Sequence, residues 1–510
     1  MMALTKAANR MINGSEVNVL DYGAYNDGTN AAATTTAIQA ALDVGGVVRF
    51  PPGTYLTDGQ LTVGSNTHVV GYGATITTSA NLFHDQLVVM SADNVTVEGI
   101  TIKAQTGEDA IDDALKINSS TNVTAIRCRL ENIGRSLANP PTSNEKGFGF
   151  TIGSSTDVRI IDCLIKDIKG IGQFRGDFVY MNNCKDVLIE GCTMSGASRQ
   201  GIAIVTNNQN ITIQNNFMTD IALAGIDIEP NATPDTSYII IKGNHIENFA
   251  AKSGPEIGSQ FNGIDFRGDE SENVIIEGNI IIAVNAQSQH CIKCQNLATN
   301  AIIANNILNC ADIADTGLTL YSGNGAKKLS INNNQIYDCV THGIDANNNN
   351  DISITNNYIN ASTNCIGIIV GSSNLVNIAN NTLNIFNSTS IGINVQNTEH
   401  SVAITGNIVR KDQGDGIRVY QSGTNVAKAC SVSSNICHNS TTNGTGILVE
   451  YAASGSIDDV AVVGNVAGGF TTPQNLPTNA NEILLPDLPT SSSGLATGQV
   501  WNNSNVLNIV

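Results

Sequence analysis

Two short apolar phrases alternate along most of this chain. The first is a polar residue, V/I-x-I, two further positions, Asn and an aliphatic residue. Examples are NITIQNNFM (210–218), NVIIEGNII (273–281), DISITNNYI (351–359) and SVAITGNIV (401–409). Its members share one column, beginning Ile100, Cys128, Cys163 and Cys192. The column continues through Asn216, Asn244, Asn279, Asn306, Asn334, Asn357, Asn381, Asn407, Asn435 and Asn465, which makes fourteen positions at steps of 23 to 35 residues. The second phrase, G-I-x-I, falls between them, as in GIAIV (201–205), GIDIE (225–229), GIDFR (263–267), GLTLY (317–321) and GILVE (446–450). Alternation with a period of two predicts strands whose aliphatic residues share one face. Two short strands per period cannot bury that face alone, whereas stacked copies can. Inward Asn amides at a bend would then hydrogen-bond along the stack, with Cys as a small substitute. Fourteen coils at ~4.8 Å make a rod of roughly 65 Å.

Residues 17–76 show no repeat. VNVLDYGAYNDGT (17–29) leads to TTTAIQAALDVGG (34–46), where Ile38, Ala41 and Leu42 have helical spacing, and then to a strand and turn, VVRFPPGTYL (47–56). Pro473, Pro477, Pro486 and Pro489 mark a linker, after which QVW and VLNIV flank the turn signal NNSN. The division expected is an arm (1–16), a capping segment (17–76), the solenoid (77–470), and a linker with a terminal hairpin (471–510), a candidate trimer contact.

Composition narrows the partners. Charged residues are only 14% of the chain, and its net charge of −19 argues against nucleic acid. No run of 18 apolar residues predicts a membrane helix, and MMALTKAANRMING lacks the apolar core of a secretory signal. Eleven cysteines recur partly at coil spacing, which suggests stacked buried thiols assembled in a reducing compartment. Cys291 and Cys294 form a CxxC with no second pair to complete a zinc site.

Against this background one cluster stands out. Reading the aliphatic residues as inward gives a first outward column of Val179, Ala203, Asp227, Asp265, Lys293, Thr319 and Asp345. A second runs Met181, Val205, Glu229, Arg267, Gln295, Tyr321 and Asn347. Charges gather at Arg175, Asp177, Arg199, Asp227, Glu229, Asp265, Arg267 and Lys293. Asp227 and Glu229 would have Cα atoms ~6.8 Å apart, with Asp265 one coil away at ~4.8 Å. Crowded acids raise one pKa, which sets a protonated acid beside an ionised base, as glycoside hydrolysis requires. The alternative is that outward acids only keep the rod soluble, the reading given to the isolated Asp345 and Glu450. Arg199, Arg267 and Lys293 could instead serve a lyase, as base and as neutraliser of a uronate carboxylate. Interleaved arginines disfavour calcium at the cluster, so no cofactor is expected. Tyr238, Phe249 and Phe261 flank it on the insertions 230–238 and 250–262, while His245 and His290 read as structural.

The repeat grammar and the block VNVLDYGAYNDGT…VVRFPPGTYL resemble the pectin-lyase-like superfamily. This implies an all-β, right-handed parallel β-helix of about 14 coils, with an N-terminal capping helix and a small C-terminal β appendage. NRMINGSEVNVLDYGA (9–24) looks like the start of bacteriophage tailspike proteins, and LPTSSSGLATGQVWNNSNVLNIV (488–510) like a tail shared by phage virion proteins. The ordered set RGDFVYM…ASRQGIAIV…AGIDIEPN (175–231) resembles a segment of β-helix glycoside hydrolases and phage depolymerases. By that resemblance Asp227 and Glu229, with Asp265 beside them and Asp177 in support, are catalytic candidates. Arg199 and Gln200 become sugar-binding candidates, joined by Arg175, Arg267, Lys293 and Tyr321. HGID (342–345) resembles a short polygalacturonase element without its accompanying acid pairs. The resemblance implies a virion-borne homotrimeric depolymerase of bacterial surface polysaccharide, attached to the phage tail by its N-terminal arm. A lyase, a non-catalytic receptor-binding fibre and a secreted bacterial enzyme are the alternatives.

Overall fold

The computed structural model describes residues 16–78, 84–105, 111–134, 147–170, 176–229, 237–251, 261–361, 364–386, 389–398, 400–422, 426–452, 456–476, 493, 500–503 and 506–509. The arm before Glu16, Arg175, most of the linker and most of both insertions lie outside these residues.

The chain winds into a parallel β-solenoid with three sheet faces. One is a sixteen-stranded sheet running from Gly53–Thr57 to Val466–Gly468. The V/I-x-I and G-I-x-I strands form the other two. These are joined into a thirty-stranded sheet where both strands of a rung run on unbroken, as in Asn262–Glu277. The stacking begins inside the non-repeating block, where Val17–Asn18 pairs with Gly46–Arg49, and Gly53–Thr57 with Ala74–Thr78. Residues 17–76 are therefore partly solenoid. A two-stranded antiparallel hairpin, Val500–Asn503 with Val506–Ile509, makes the C-terminal appendage.

The helix expected at 34–46 forms as α1 (Ala31–Leu42), burying Thr34, Ala37, Ile38, Ala41 and Leu42. It closes the exposed edge of the first G-I-x-I rung. Gln39 donates from Nε2 to the Thr62 carbonyl at 3.0 Å and accepts the Thr62 N–H at Oε1 at 2.8 Å. One side-chain amide thus replaces the backbone groups of a missing rung.

The core is two aliphatic walls closed by the polar column. Asn216 donates to Asn244, Asn244 to Asn279, and so on to Asn435 and Asn465, each amide contact lying at 2.9–3.0 Å. Cys192 occupies the same column, and its N–H reaches Asn216 Oδ1 at 2.9 Å. All eleven cysteines are buried and free, and Cys291, Cys310 and Cys339 form a second stack with Sγ separations of 3.7 and 3.1 Å.

The G-I-x-I face carries the charge cluster on seven successive strands: β1 (Val179–Asn182), β2 (Ile202–Val205), β3 (Ile226–Glu229), β4 (Asn262–Glu277), β5 (His290–Ala304), β6 (Thr316–Asn332) and β7 (His342–Asn349). The phrase glycine is needed at the corner. A Cβ on Gly225 would lie 2.5 Å from Ile246 Cγ2 and 2.6 Å from the Gly263 carbonyl.

Candidate active site

Register fixes which residues share a column. Ala203, Asp227, Asp265, Lys293, Thr319 and Asp345 are successive partners, as are Val205 with Glu229, Arg267 with Gln295, Gln295 with Tyr321, and Tyr321 with Asn347. The expectation fails on β1. There Val179 pairs with Ile202 and Met181 with Ile204, so both are core, and Tyr180 and Asn182 take the outward positions. Phe178 stands where most coils of this face have the phrase glycine, so the pattern carries no marker for its frame. A slip of one residue exchanges the two faces of a strand.

Outward does not mean exposed here. Asp177, Asp227 and Asp265 have no accessible surface, and Arg199 is also buried. Solubilising acids would be hydrated, so that reading is excluded for these three. Asp177 accepts from Arg199 Nη1 at 2.7 Å and from the Gln200 N–H at 2.9 Å. The fully buried Gln200 carries the connection onward, its Nε2 donating to Asp227 Oδ2 at 2.8 Å while its Oε1 accepts the Ala224 N–H at 2.8 Å. Arg267 then joins the three other acids. Its Nη2 lies 3.1 Å from Asp227 Oδ1 and 2.6 Å from Glu229 Oε1, and its Nε lies 3.4 Å from Asp265 Oδ2. Arg199 Nη2 approaches Glu229 Oε2 at 3.7 Å from the other side. Two oxygens held by one nitrogen stand within about 6 Å, below the separation of roughly 6.5–9.5 Å that admits water between paired carboxyls.

Burial and like charge set the proton affinities. The Asp227 carboxyl is pushed up to about 8 by burial and by the charges of Glu229 and Asp265, against the pull of Arg267. Burial also raises Asp265, against Arg267, Lys293 and the Asn262 amide. It raises Asp177 against Arg199 and the Gln200 N–H. Glu229 is the most solvent-accessible of the four, with a side chain 23% exposed. The arrangement therefore offers buried acids of raised proton affinity, one more accessible carboxyl group and two guanidinium groups. The space a cation would take among the three acids is held by Arg267, and no metal-holding group of His, Cys, Asp and Glu occurs among the described residues.

Other expectations fall apart from the centre. Lys293 sits next to Asp265 on β5, and Tyr321 is exposed on β6. Phe249 and Phe261 are core residues, and Tyr238 is exposed on the V/I-x-I face, so none lines the site. His245 meets Glu247 at 3.1 Å on the sixteen-stranded sheet. Glu450 is paired with Arg418 rather than isolated, and Asp345 faces His342 at 4.0 Å. Two residues near the centre, Asn262 and Tyr180, are not singled out by the sequence, and His290 reads there as structural. Asn262 is buried with both amide atoms lacking a full hydrogen bond, as are both oxygens of Asp265. His290 shares a contact of 3.1 Å with Thr319 and is lowered to about 4 by burial and by Lys293 and His342. Tyr180 stacks on Phe148, with centroids 5.0 Å apart and planes 9° apart. Only the register, absent from the pattern on that coil, would have shown Tyr180.

Comparison with known proteins gives the frame. The family model described as rhamnogalacturonase A/epimerase, pectate lyase-like, matches residues 16–251, which include Asp177, Arg199, Asp227 and Glu229 but stop short of Asp265 and Arg267. The plasmin and fibronectin-binding protein A of Streptococcus pneumoniae is 25% identical over 354 residues, which is 58% of this chain; the chain spans 46% of that relative's length. Among solved structures, the N-terminal fragment of gene product 12 of bacteriophage Phi29 has a TM-score of 0.52 at 13% identity, over 89% of this chain and 93% of that one. Tailspike protein 3 of bacteriophage CBA120 has a TM-score of 0.49 at 10% identity, over 96% and 66%. No helix among the described residues is long and apolar enough to cross a membrane. The chain is thus a parallel β-solenoid whose residues 16–251 match a pectate lyase-like family model.

Proposed function

We propose that the chain is a glycoside hydrolase that shortens a bacterial surface polysaccharide, with Asp227 as general acid and Glu229 as the more accessible carboxyl group beside it. The observation that carries this is Asp227 itself, a fully buried carboxyl raised to about 8 and held by Gln200 and Arg267 next to a more accessible carboxyl group. A carboxyl that keeps its proton at neutral pH can give it to a glycosidic oxygen. Glu229 faces the developing positive charge at the anomeric carbon as nucleophile, since its oxygen stands too close to Asp227 to admit a water between them. Arg199 and Arg267 orient Glu229 and offer donors to sugar hydroxyls or carboxylates. The resemblance of both chain ends to phage virion proteins supports a tailspike-type homotrimer on a virion, attached through residues 1–16.

The test is a screen of purified capsular, O-antigen and exopolysaccharides, read by the mass of released fragments, on wild type, Asp227→Asn and Glu229→Gln. Loss of at least about a hundredfold in rate in both variants, each folded, is expected. Full degradation by either folded variant overturns the assignment. Absorbance of an unsaturated uronate in the products would identify a lyase instead. A second reading, attachment without cleavage, is favoured by Arg267, which already fills the space between the acids, and by the ligand-binding name of the pneumococcal relative. It would show as polysaccharide bound but never shortened.

A further inference from the structure

Cys310 and Cys339 occupy corresponding corners of successive rungs. Each follows a strand of the sixteen-stranded sheet, Ile307–Asn309 or Gln335–Tyr337, and precedes β6 or β7. The Cys310 N–H donates to the Tyr337 carbonyl at 2.9 Å, which holds the two corners together. Both thiols are fully buried, with their Sγ atoms 3.1 Å apart, and Cys291 on β5 lies 3.7 Å from Cys310 on the other side. The cysteines of the Asn column differ, since Cys128, Cys163 and Cys192 turn their Sγ atoms to carbonyls of the preceding rung. The close pair also lies just under the surface. Ala311 and the exposed Asp312 follow Cys310 in a turn, Asp338 precedes Cys339, and the Asp312 N–H donates to the Asp338 carbonyl at 2.8 Å. All three have φ of 53–55°, which residues other than glycine rarely adopt. Opening this one turn would uncover the pair without parting the rungs.

We infer that Cys310 and Cys339 form an oxidation site, at which hydrogen peroxide joins two rungs of the solenoid by a disulfide. The sulfurs need to close by only about 1 Å to reach bonding distance. Burial works against ionisation of Cys339, but the Cys310 and Cys365 thiols and the Gly317 backbone outweigh it and hold this thiol below its usual range. Cys339 is therefore the sulfur that attacks the peroxide. Its S–H becomes S–OH as the O–O bond breaks, and one water leaves. The Cys310 sulfur then attacks that sulfenic sulfur, the S–S bond forms, and the hydroxyl departs with the Cys310 proton as a second water. Two electrons pass from the sulfurs to the peroxide. The bond links positions 29 residues apart, so it stabilises chiefly by constraining the unfolded chain. A chain that folds with reduced thiols is thereby stapled directly behind β6 and β7 once it meets peroxide. The acids take no part in this step, which stands apart from the hydrolase reading.

The test uses the full chain, purified in reductant, freed of it and treated with dilute hydrogen peroxide. After quenching, the chain is unfolded in urea and labelled with a chromogenic thiol reagent. Nine thiols should react, two fewer than the eleven of the untreated chain, and dithiothreitol should restore both. Peptide mapping without reductant should find Cys310 joined to Cys339. Cys339→Ala should keep all its remaining thiols through the same treatment. At one urea concentration within the transition, the treated wild type should have a folded-to-unfolded ratio at least about tenfold above that of the reduced protein. Eleven reactive thiols after treatment, a bridge between any other pair, or thiol loss that dithiothreitol does not reverse would each overturn the site. So would a mapped bridge that leaves the unfolding ratio unchanged, because the staple would then hold nothing. The mapping is done on wild type, so it decides the matter even if Cys339→Ala fails to fold.

Discussion

Arg267 Nη2 lies 3.1 and 3.2 Å from the two oxygens of Asp227, so one nitrogen of a half-buried guanidinium serves both atoms of a carboxyl that has no accessible surface. The same nitrogen reaches Glu229, and the neighbouring Nε faces Asp265. Removing the guanidinium therefore strands two buried acids rather than one.

Arg267→Ala should lower stability more at pH 9 than at pH 5, because it raises the proton affinity of Asp227 and Asp265 further, and Asp227 is ionised in the wild type only above about 8. The loss should shrink towards pH 5, where the stranded acids take up protons and no buried charge remains. Urea unfolding of both proteins at the two pH values measures this. An equal loss at both would mean that Arg267 acts by packing, not charge.

The raised acids set a pH dependence of stability with a definite sign. Asp227 has a folded-state value of about 8, against about 3.9 when unfolded. Between those values the folded chain holds a proton that the unfolded chain has released, so stability falls as pH rises through that window. Asp177 and Asp265 are raised too and act in the same direction. The unfolding midpoint should therefore be highest near pH 4–5 and decline towards pH 8. Asp227→Asn, which resembles the protonated acid, should flatten part of the decline and be at least as stable as wild type at pH 8. Its hydrolytic activity should be lost at every pH, whereas wild-type activity should fall as pH rises past about 8. A steeper decline in the variant would contradict the assignment of Asp227 as the protonated acid.

The repeat made the fold legible because each Asn in its column makes the same bonds, and a pattern of period two with a fixed bend specifies the register on nearly every coil. It failed where a coil lacks the signal. Phe178 in the glycine position hid the frame of β1, and with it Tyr180. The site was legible as a departure from the repeat, since Asp227, Glu229, Asp265 and Arg267 are charges where most coils have neutral residues. Their burial was not legible. A period-two pattern says which side of a strand a residue takes, not what lies over it, and the cover comes from Arg199, Gln200 and Arg267 on other coils.

The thiols offer a direct check on the core. All eleven are buried, and burial raises Cys184, Cys294, Cys430 and Cys437, which favours the unreactive thiol form. In native buffer at pH 8 a thiol-specific chromogenic reagent should label almost none, and in concentrated urea all eleven. Rapid native labelling of several thiols would mean that the rungs open, or that the stacked cysteines are not core.

Asn334 tests the polar column in a coil remote from the acids. Its Nδ2 donates to the Ile303 carbonyl at 2.9 Å and to Asn357 Oδ1 at 3.0 Å, while its Oδ1 accepts from Asn306 N at 3.1 Å and Asn306 Nδ2 at 2.9 Å. Asn334→Leu is close in size but takes the acceptor from the Asn306 N–H and from one Asn306 amide hydrogen, and the side-chain donor from the Ile303 carbonyl. Each unsatisfied group costs about 1–3 kcal/mol, so a total loss of several kcal/mol is expected. Asn334→Cys should cost less, because Cys128, Cys163 and Cys192 already occupy this column, where their Sγ atoms bond to carbonyls of the preceding rung at 3.4–3.7 Å. Urea unfolding of the two variants orders them. If Leu proved as stable as wild type, the column would be a by-product of coil geometry rather than the element that holds the bend.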